Sequence, residues 1–448
     1  MKRIACILSL LAGICLISFP VLAQEASEAT NAAAAVEEEA AEPAAELNGA
    51  NTAWILTATA LVLFMTIPGL SLFYAGLVGR KNVLSVLMHC FMITAVMSVL
   101  WLAFGYSIAF GDANPYFGGF GSIFASGITA DSMSGDIPEF LFFGFQMTFF
   151  IITPALMVGA FVERMKFSAM ILFTSIWALV VYAPVCHWVW AGNGFMLESG
   201  TMDLAGGIVV HITAGIGALV VCIMVGPRKG YPTAQFQPHS LPLCVTGTGM
   251  LWVGWFGFNA GSQLAANGDA AQTLVVTHLS AATATIVWSL AEKIKNGKAS
   301  VLGAVTGSIA GLAAITPASG EVGPIGALAI GAASGLVCWY ASVILKSKLG
   351  YDDSLDVVGV HGVGGLVGTL LVAFFAASSL GGKQGADYAI GGQFMTQLTS
   401  SAITVVYTLV LSIIILKVVG IVCGGLRVSE SEEQDGLDIS AHGESGYN

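Results

Sequence analysis

Residues 204–225 read LAGGIVVHITAGIGALVVCIMV, and the only acidic or basic side chain among them is His211. A helix of about 22 residues rises about 33 Å, enough to cross a hydrocarbon core of about 30 Å. Runs of this kind recur along the 448-residue chain, which is 56% hydrophobic and 10% charged. A soluble domain carries roughly 25% charged residues. That balance excludes a soluble globular enzyme, a disordered protein and a coiled coil. An outer-membrane barrel would show alternating segments of roughly ten residues instead. The sequence specifies an all-α polytopic membrane protein.

Working outward from that run, apolar stretches give eleven expected spans, at 52–78, 83–110, 140–162, 167–190, 204–225, 241–265, 272–290, 301–316, 322–345, 357–377 and 393–423. Many are rich in Gly and Ala, which lets helices approach closely in lipid. Arg80, Lys81, Arg164, Lys166, Arg228, Lys229, Lys293, Lys295, Lys298, Lys346, Lys348 and Arg427 all fall on one side of such an arrangement, and Lys383 on the other. Basic residues mark the cytoplasmic side, so the mature N-terminus is expected outside and the C-terminus inside. Eleven helices divide as five, five and one. An odd number per half turns the two halves over relative to each other, the arithmetic of an inverted repeat. Val210-His211-x-x-x-Gly215 and Val360-His361-x-x-x-Gly365 support it, since the histidines lie 361 − 211 = 150 residues apart.

The ends differ in character from the spans. Residues 1–23 hold Lys2 and Arg3, an apolar run, and Pro20-Val21-Leu22-Ala23. This is the form of a signal peptide cleaved before Gln24; the competing reading is an uncleaved first helix. Residues 24–50 are an acidic, low-complexity periplasmic segment with seven acids and no base. The membrane domain is placed at 51–426 and a cytoplasmic tail with six acids at 427–448. Net charge is −11 and no basic stripe exists, so nucleic acid is not an expected partner. The eight cysteines show no CxxC spacing and read as small apolar packing residues.

An ionisable residue inside a membrane helix is costly and marks a functional candidate. His89 and His278 have ordinary surroundings and read as helix–helix hydrogen-bonding or interfacial residues. His211 and His361 are repeat-related and lie among glycines (Gly206, Gly207, Gly215; Gly359, Gly362, Gly364, Gly365). Glycines let two backbones meet, which would bring the imidazoles together. Neutral imidazole has one donor and one acceptor nitrogen, so a linked pair can share a proton and face a pore with its remaining nitrogens. A satisfied structural pair is the alternative. A metal would require further Cys, His or carboxylate ligands; none is evident, and neither metal nor cofactor is expected.

Aromatic residues form a second constellation. Phe145 and Phe149 are four apart and share a helix face. Trp190 ends the fourth span. The run Gly254-Trp255-Phe256-Gly257-Phe258-Asn259-Ala260-Gly261-Ser262 lies in the outer part of the sixth. Aromatic faces attract compact cations; an interfacial aromatic belt is the alternative. Asp203 stands at the outer start of the fifth span, as an N-cap or as a charge favouring a nearby cation. Asp356 is assigned the mirrored place before His361. Asp352 and Asp353 read as a solvated loop or a helix start.

The runs Asp203-Leu-Ala-Gly-Gly-Ile-Val-Val-His211, Gly254 to Ser262, and Asp356-Val-Val-Gly-Val-His361-Gly resemble the ammonium transporter (Amt/Mep/Rhesus) family, closest to its bacterial members. The likeness extends from Asn51 to Asn448 and includes Gly-Leu-Arg427-Val and His442-Gly-Glu-x-x-Tyr447. It implies a homotrimer in the cytoplasmic (inner) membrane with one pore per subunit. Phe149 and Phe258 would be a stacked gate, and His211 and His361 the twin histidines. Phe145, Trp190 and Ser262 would bind ammonium at the outer mouth, supported by Asp203. Trp190 favours the ammonium transporter branch over the Rhesus branch. Leu204 departs from the family, which often has an aromatic residue there. The tail resembles a regulatory tail, whose implied partner is a trimeric PII-type signal protein.

The chemistry agrees with that resemblance. Ammonium and potassium are alike in size and charge, but only ammonium can give up a proton. A cation–π site concentrates the ion, an apolar pore makes a bare charge expensive, and neutral ammonia passes along two imidazoles. Methylammonium would serve as an analogue. The rival class is an ammonium sensor on the same fold. No nucleophile–base pair or phosphate loop points to an enzyme.

Overall fold

A computed structural model of the chain describes residues 46–447. The expected leader at 1–23 and most of the acidic segment lie outside the described residues. The first helix starts earlier than expected, at Gly49, because Asn48 caps it: its Oδ1 accepts from the N–H groups of Ala50 and Asn51. Residues 49 and 50 thus belong to the helix rather than to the acidic segment.

Among the described residues, ten helices are long and apolar enough to cross a membrane: α1 Gly49–Leu77, α2 Arg80–Phe110, α3 Glu139–Phe161, α4 Phe167–Glu198, α5 Gly207–Val225, α6 Leu241–Gly261, α7 Gly268–Asn296, α9 Pro324–Leu349, α10 Val358–Phe375 and α11 Ile390–Val422. The shorter apolar helix α8, Val301–Ile315, fits between α7 and α9. All eleven fall where the apolar runs lie. The only sheet among the described residues is a pair of two-residue strands between α2 and α3, β1 Met133–Ser134 and β2 Ile137–Pro138.

The fold is built from close crossings. α6 lies along α1, α8 and α9 both lie on α7, and α5 sits between α3, α10 and α11. At the centre, α5 and α10 touch through backbone: a Cβ added to Gly215 would come 2.2 Å from the Cα of Gly362. No side chain fits at Gly215, and a Cβ on Gly362 would press to 3.2 Å of the Gly215 Cα.

The two halves match in backbone detail. Each of α5 and α10 opens through a widened turn, over Gly207–Ile212 and Val358–Gly362. Each is preceded by a residue with positive φ, Gly206 at 116° and Asp356 at 63°, again 356 − 206 = 150 apart. Val210 and Val360 donate to the carbonyls of these two residues. Left-handed backbone is rare outside glycine, so its recurrence at the same offset as the histidines marks the repeat.

Basic residues gather at one end with the tail. Arg228 bonds Asp352 and Glu163, and Arg164 donates to the carbonyls of Ala160 and Asp352. Asp352 and Asp353 are therefore not a solvated loop; both are buried. Burial raises the Asp352 carboxyl, but the bonded Arg228 and nearby Arg164 outweigh it and hold it below the usual carboxylate range. The tail forms two short helices, α12 Glu430–Asp435 and α13 Leu437–His442, and packs on the same end. Glu433 bonds Arg427, Leu437 N–H donates to Asn82, and Asp438 accepts from Ser85 N–H.

Candidate functional site

Aromatic rings come together at the end of the bundle away from the tail. Phe149 and Phe258 face each other with centroids 4.4 Å apart and planes at 36°. Phe145 meets Phe149 edge-on at 5.0 Å, and Trp190 meets it at 5.7 Å. Gly261 leaves room for the Phe145 ring and for α1, since a Cβ there would lie 3.0 Å from the ring and 2.7 Å from the Cβ of Ala58. Ser262 ends α6 one turn beyond Phe258 and donates to its carbonyl at 2.8 Å. Its oxygen keeps lone pairs for another donor.

Asp203 reaches this cluster indirectly. Its two carboxylate oxygens accept from Gly206, Gly207, Ile208 and Val209 N–H at 2.6–3.2 Å. That satisfies the orphan donors at the start of α5. Its backbone carbonyl accepts the Trp190 indole N–H at 2.8 Å. The residue thus fixes both the entry of α5 and the orientation of Trp190. Its counterpart is not Asp356, as the sequence suggested. Asp353 takes that place: its carboxylate accepts Val358 N–H, five residues on, as Asp203 accepts Ile208. Asp356 pairs with Lys346 instead. The offset 353 − 203 = 150 was the signal that could have found it.

Below the rings lie the histidines. His211 stacks near Phe258 and Trp255, with centroids 6.1 and 5.5 Å apart. Nδ1 of His211 and Nδ1 of His361 are 3.3 Å apart, and both residues are buried. Gly365 permits this approach, because a Cβ there would come 2.7 Å from the Cβ of His211. Two small cavities flank the pair. The first, about 10 Å³ and lined by Phe258, Trp255 and both histidines among others, has room for about one water-sized sphere. The second, of similar size, continues from His361 past Phe73, Tyr74 and Leu355. No Asp, Glu, Lys or Arg lines either one.

The remaining ring nitrogens are not equivalent, which the sequence did not indicate. Nε2 of His211 lies 3.4 Å from Thr316 Oγ1, which also accepts the Trp255 indole N–H at 2.9 Å. Trp255 stood inside a noted motif without a role, and nothing local singled out Thr316. The other histidines carry no conduction geometry. His89 is buried and stacks on Phe167 at 5.7 Å without the expected hydrogen bond at Nδ1. His278 is exposed on α7 beside Trp252. His187, passed over in the sequence, has both nitrogens on the carbonyls of Ala109 and Asn114. No group of three or more His, Cys, Asp or Glu able to hold a metal occurs among the described residues.

Comparison with known proteins follows the same residues. Positions 53–447 match the model of the Ammonium Transporter Family. An ammonium transporter of Aquifex aeolicus is 45% identical over 408 residues, covering 90% of this chain and 95% of that protein. One from Bacillus subtilis is 43% identical over 392 residues, covering 87% and 96%. Among solved structures, Mep2 of Saccharomyces cerevisiae superposes with a TM-score of 0.79 at 34% identity, covering 86% of this chain and 88% of that one. A protein described as a sensor Amt protein gives 0.82 at 29% identity, covering 88% and 98%.

Proposed function

The chain belongs to the ammonium transporter family, and from that premise we propose that it carries ammonium across the cytoplasmic membrane by conducting neutral ammonia past His211 and His361. The observation that carries this reading is the buried Nδ1–Nδ1 contact of 3.3 Å in a cavity otherwise lined by uncharged side chains. Ammonium would be gathered by the faces of Phe145 and Trp190 and the Ser262 hydroxyl, with Asp203 supporting the site. It would give its proton to solvent water at the outer mouth, and ammonia would pass the Phe149–Phe258 gate. A bare potassium ion finds no compensating charge in such a passage. α8 would complete eleven spans, with Trp190 outside and the Arg228 end with the tail inside. The relatives named as transporters share far more identity with this chain than the sensor-type structure does, so transport is preferred over sensing. Uptake of labelled methylammonium into proteoliposomes, with and without a voltage gradient, tests the reading. No uptake above protein-free liposomes would end it.

The assembly is proposed to be a homotrimer with one pore per subunit, on the family resemblance and the many small residues in the spans. Native mass spectrometry in mild detergent should show a trimer as the main species. A stable monomer alone would contradict it.

A PII-type signal protein is proposed as the partner at the tail end. Exposed Glu430 of the docked tail pairs with exposed Lys229 at 3.2 Å, and a blocking protein there would cover the inner mouth. Co-purification from nitrogen-replete cells, weakened in nitrogen-starved cells, is the expected result. Absence of association in both conditions would remove regulation from this surface.

A further inference from the structure

We infer that Thr316 is a positioning residue that fixes which nitrogens of the histidine pair carry hydrogen, so that the pair offers the pore one lone pair, at Nε2 of His361. This rests on reading the pair as the conduction site for ammonia and assigns its protons.

Thr316 is fully buried at the end of α8. Its Oγ1 lies 2.8 Å from Leu312 O, 2.9 Å from Trp255 Nε1 and 3.4 Å from His211 Nε2. A hydroxyl has one hydrogen and two lone pairs. A carbonyl only accepts, so the hydroxyl hydrogen goes to Leu312, its shortest contact. An indole N–H only donates, so Trp255 takes one lone pair. The remaining lone pair faces His211, whose Nε2 must then carry the hydrogen. Neutral imidazole has one N–H, which leaves Nδ1 of His211 bare. The facing Nδ1 of His361 must donate to it across 3.3 Å. Nε2 of His361 is left with a lone pair, and His361 lines both cavities. One oxygen, 105 residues along the chain from His211, sets the state of four ring nitrogens.

The consequence is directional. An ammonia molecule arriving at the pair finds an acceptor for its N–H at His361, and none at Nε2 of His211. A proton placed on Nε2 of His361 has no onward route through Thr316. The chain ends there on a helix carbonyl and an indole N–H, neither of which passes a proton on. His361 is therefore the member of the pair that answers to the substrate, and His211 the member that orients it.

Nitrogen-15 NMR of histidine-labelled full-length protein in lipid bilayers reads the tautomers directly, with signals assigned by difference against His211→Ala and His361→Ala. Wild-type protein should show His211 protonated at Nε2 and His361 at Nδ1. Thr316→Val removes the oxygen at nearly constant volume. It should populate both tautomers of His211 and slow methylammonium uptake about tenfold, the equivalent of about one hydrogen bond. Thr316→Ser should restore both. A merely structural role would change uptake through folding and leave the tautomers of the folded protein alone. A bare Nε2 on wild-type His211, or a His211 tautomer unmoved by Thr316→Val, overturns the assignment. Should Thr316→Val fail to fold, the wild-type spectrum decides by itself. Wild-type liposomes without uptake but with the expected tautomers would overturn the transport reading and leave Thr316 its role.

Discussion

His361→Asp and His211→Asp should each let potassium pass, raising potassium current in proteoliposomes at least about tenfold, the change that about 1.4 kcal/mol of added stabilisation produces. A neutral imidazole pair gives an arriving cation no charge to replace its lost hydration, so the full desolvation penalty stands. A carboxylate is acceptor-only and ordinarily charged, and at this point it would compensate a cation directly. His361→Ala should instead lower ammonium flux by about tenfold or more, because a hydrogen-bond partner is lost without a new charge. The same substitution at His211 should cost about as much as Thr316→Val, since each leaves the His361 tautomer unset. The measurement is ammonium-driven current with competing potassium. Wild-type flux and potassium exclusion in both Asp variants would make the pair structural and the mechanism wrong.

Asp203→Ala should give a chain that scarcely folds. Four buried N–H groups end on its carboxylate. A buried donor left unsatisfied costs about 1–3 kcal/mol, against a total stability of about 5–15 kcal/mol for a typical domain. Asp203→Asn separates cap from charge. One oxygen of the amide still accepts, while its NH₂ opposes the remaining donors, so melting in detergent should fall part of the way. If the charge also favours ammonium nearby, folded Asp203→Asn protein should show weaker apparent affinity for methylammonium at unchanged maximal rate. Melting of Asp203→Ala indistinguishable from wild type would refute the capping role. Asp353, with one N–H bond recorded to Val358, should be the milder site under the same substitution.

Much of this site was legible in the chain because its signals are local or periodic. Apolar runs are long enough to span, whatever packs beside them, and all eleven helices lie on those runs. Glycines beside His211 and His361 announced a close crossing, since a missing side chain matters only where something else needs the space. Phe145 and Phe149 shared a face by helical spacing alone. Asp353 was missed for a different reason. Asp356 lies nearer to His361 and looked like a cap, but a residue in left-handed backbone before the widened turn points its side chain elsewhere, to Lys346.

What the sequence by itself determined is therefore the membrane class, the helices, the 150-residue recurrence and the residue types at the centre. These follow from hydropathy, spacing and the 150-residue offset, which are properties of the chain before it folds. The tertiary structure alone decided the partners. Arg228 bonds Asp352 across 124 residues, Leu437 is held by Asn82 across 355, and His211 meets Thr316 across 105. A hydrogen bond depends on angstrom-scale placement of two groups, and that placement is set by how whole helices cross. No run of residues encodes which distant hydroxyl will face an imidazole. The packing of α5, α8 and α10 at the glycine crossing brings them together, and with that decides which ring nitrogen is left free.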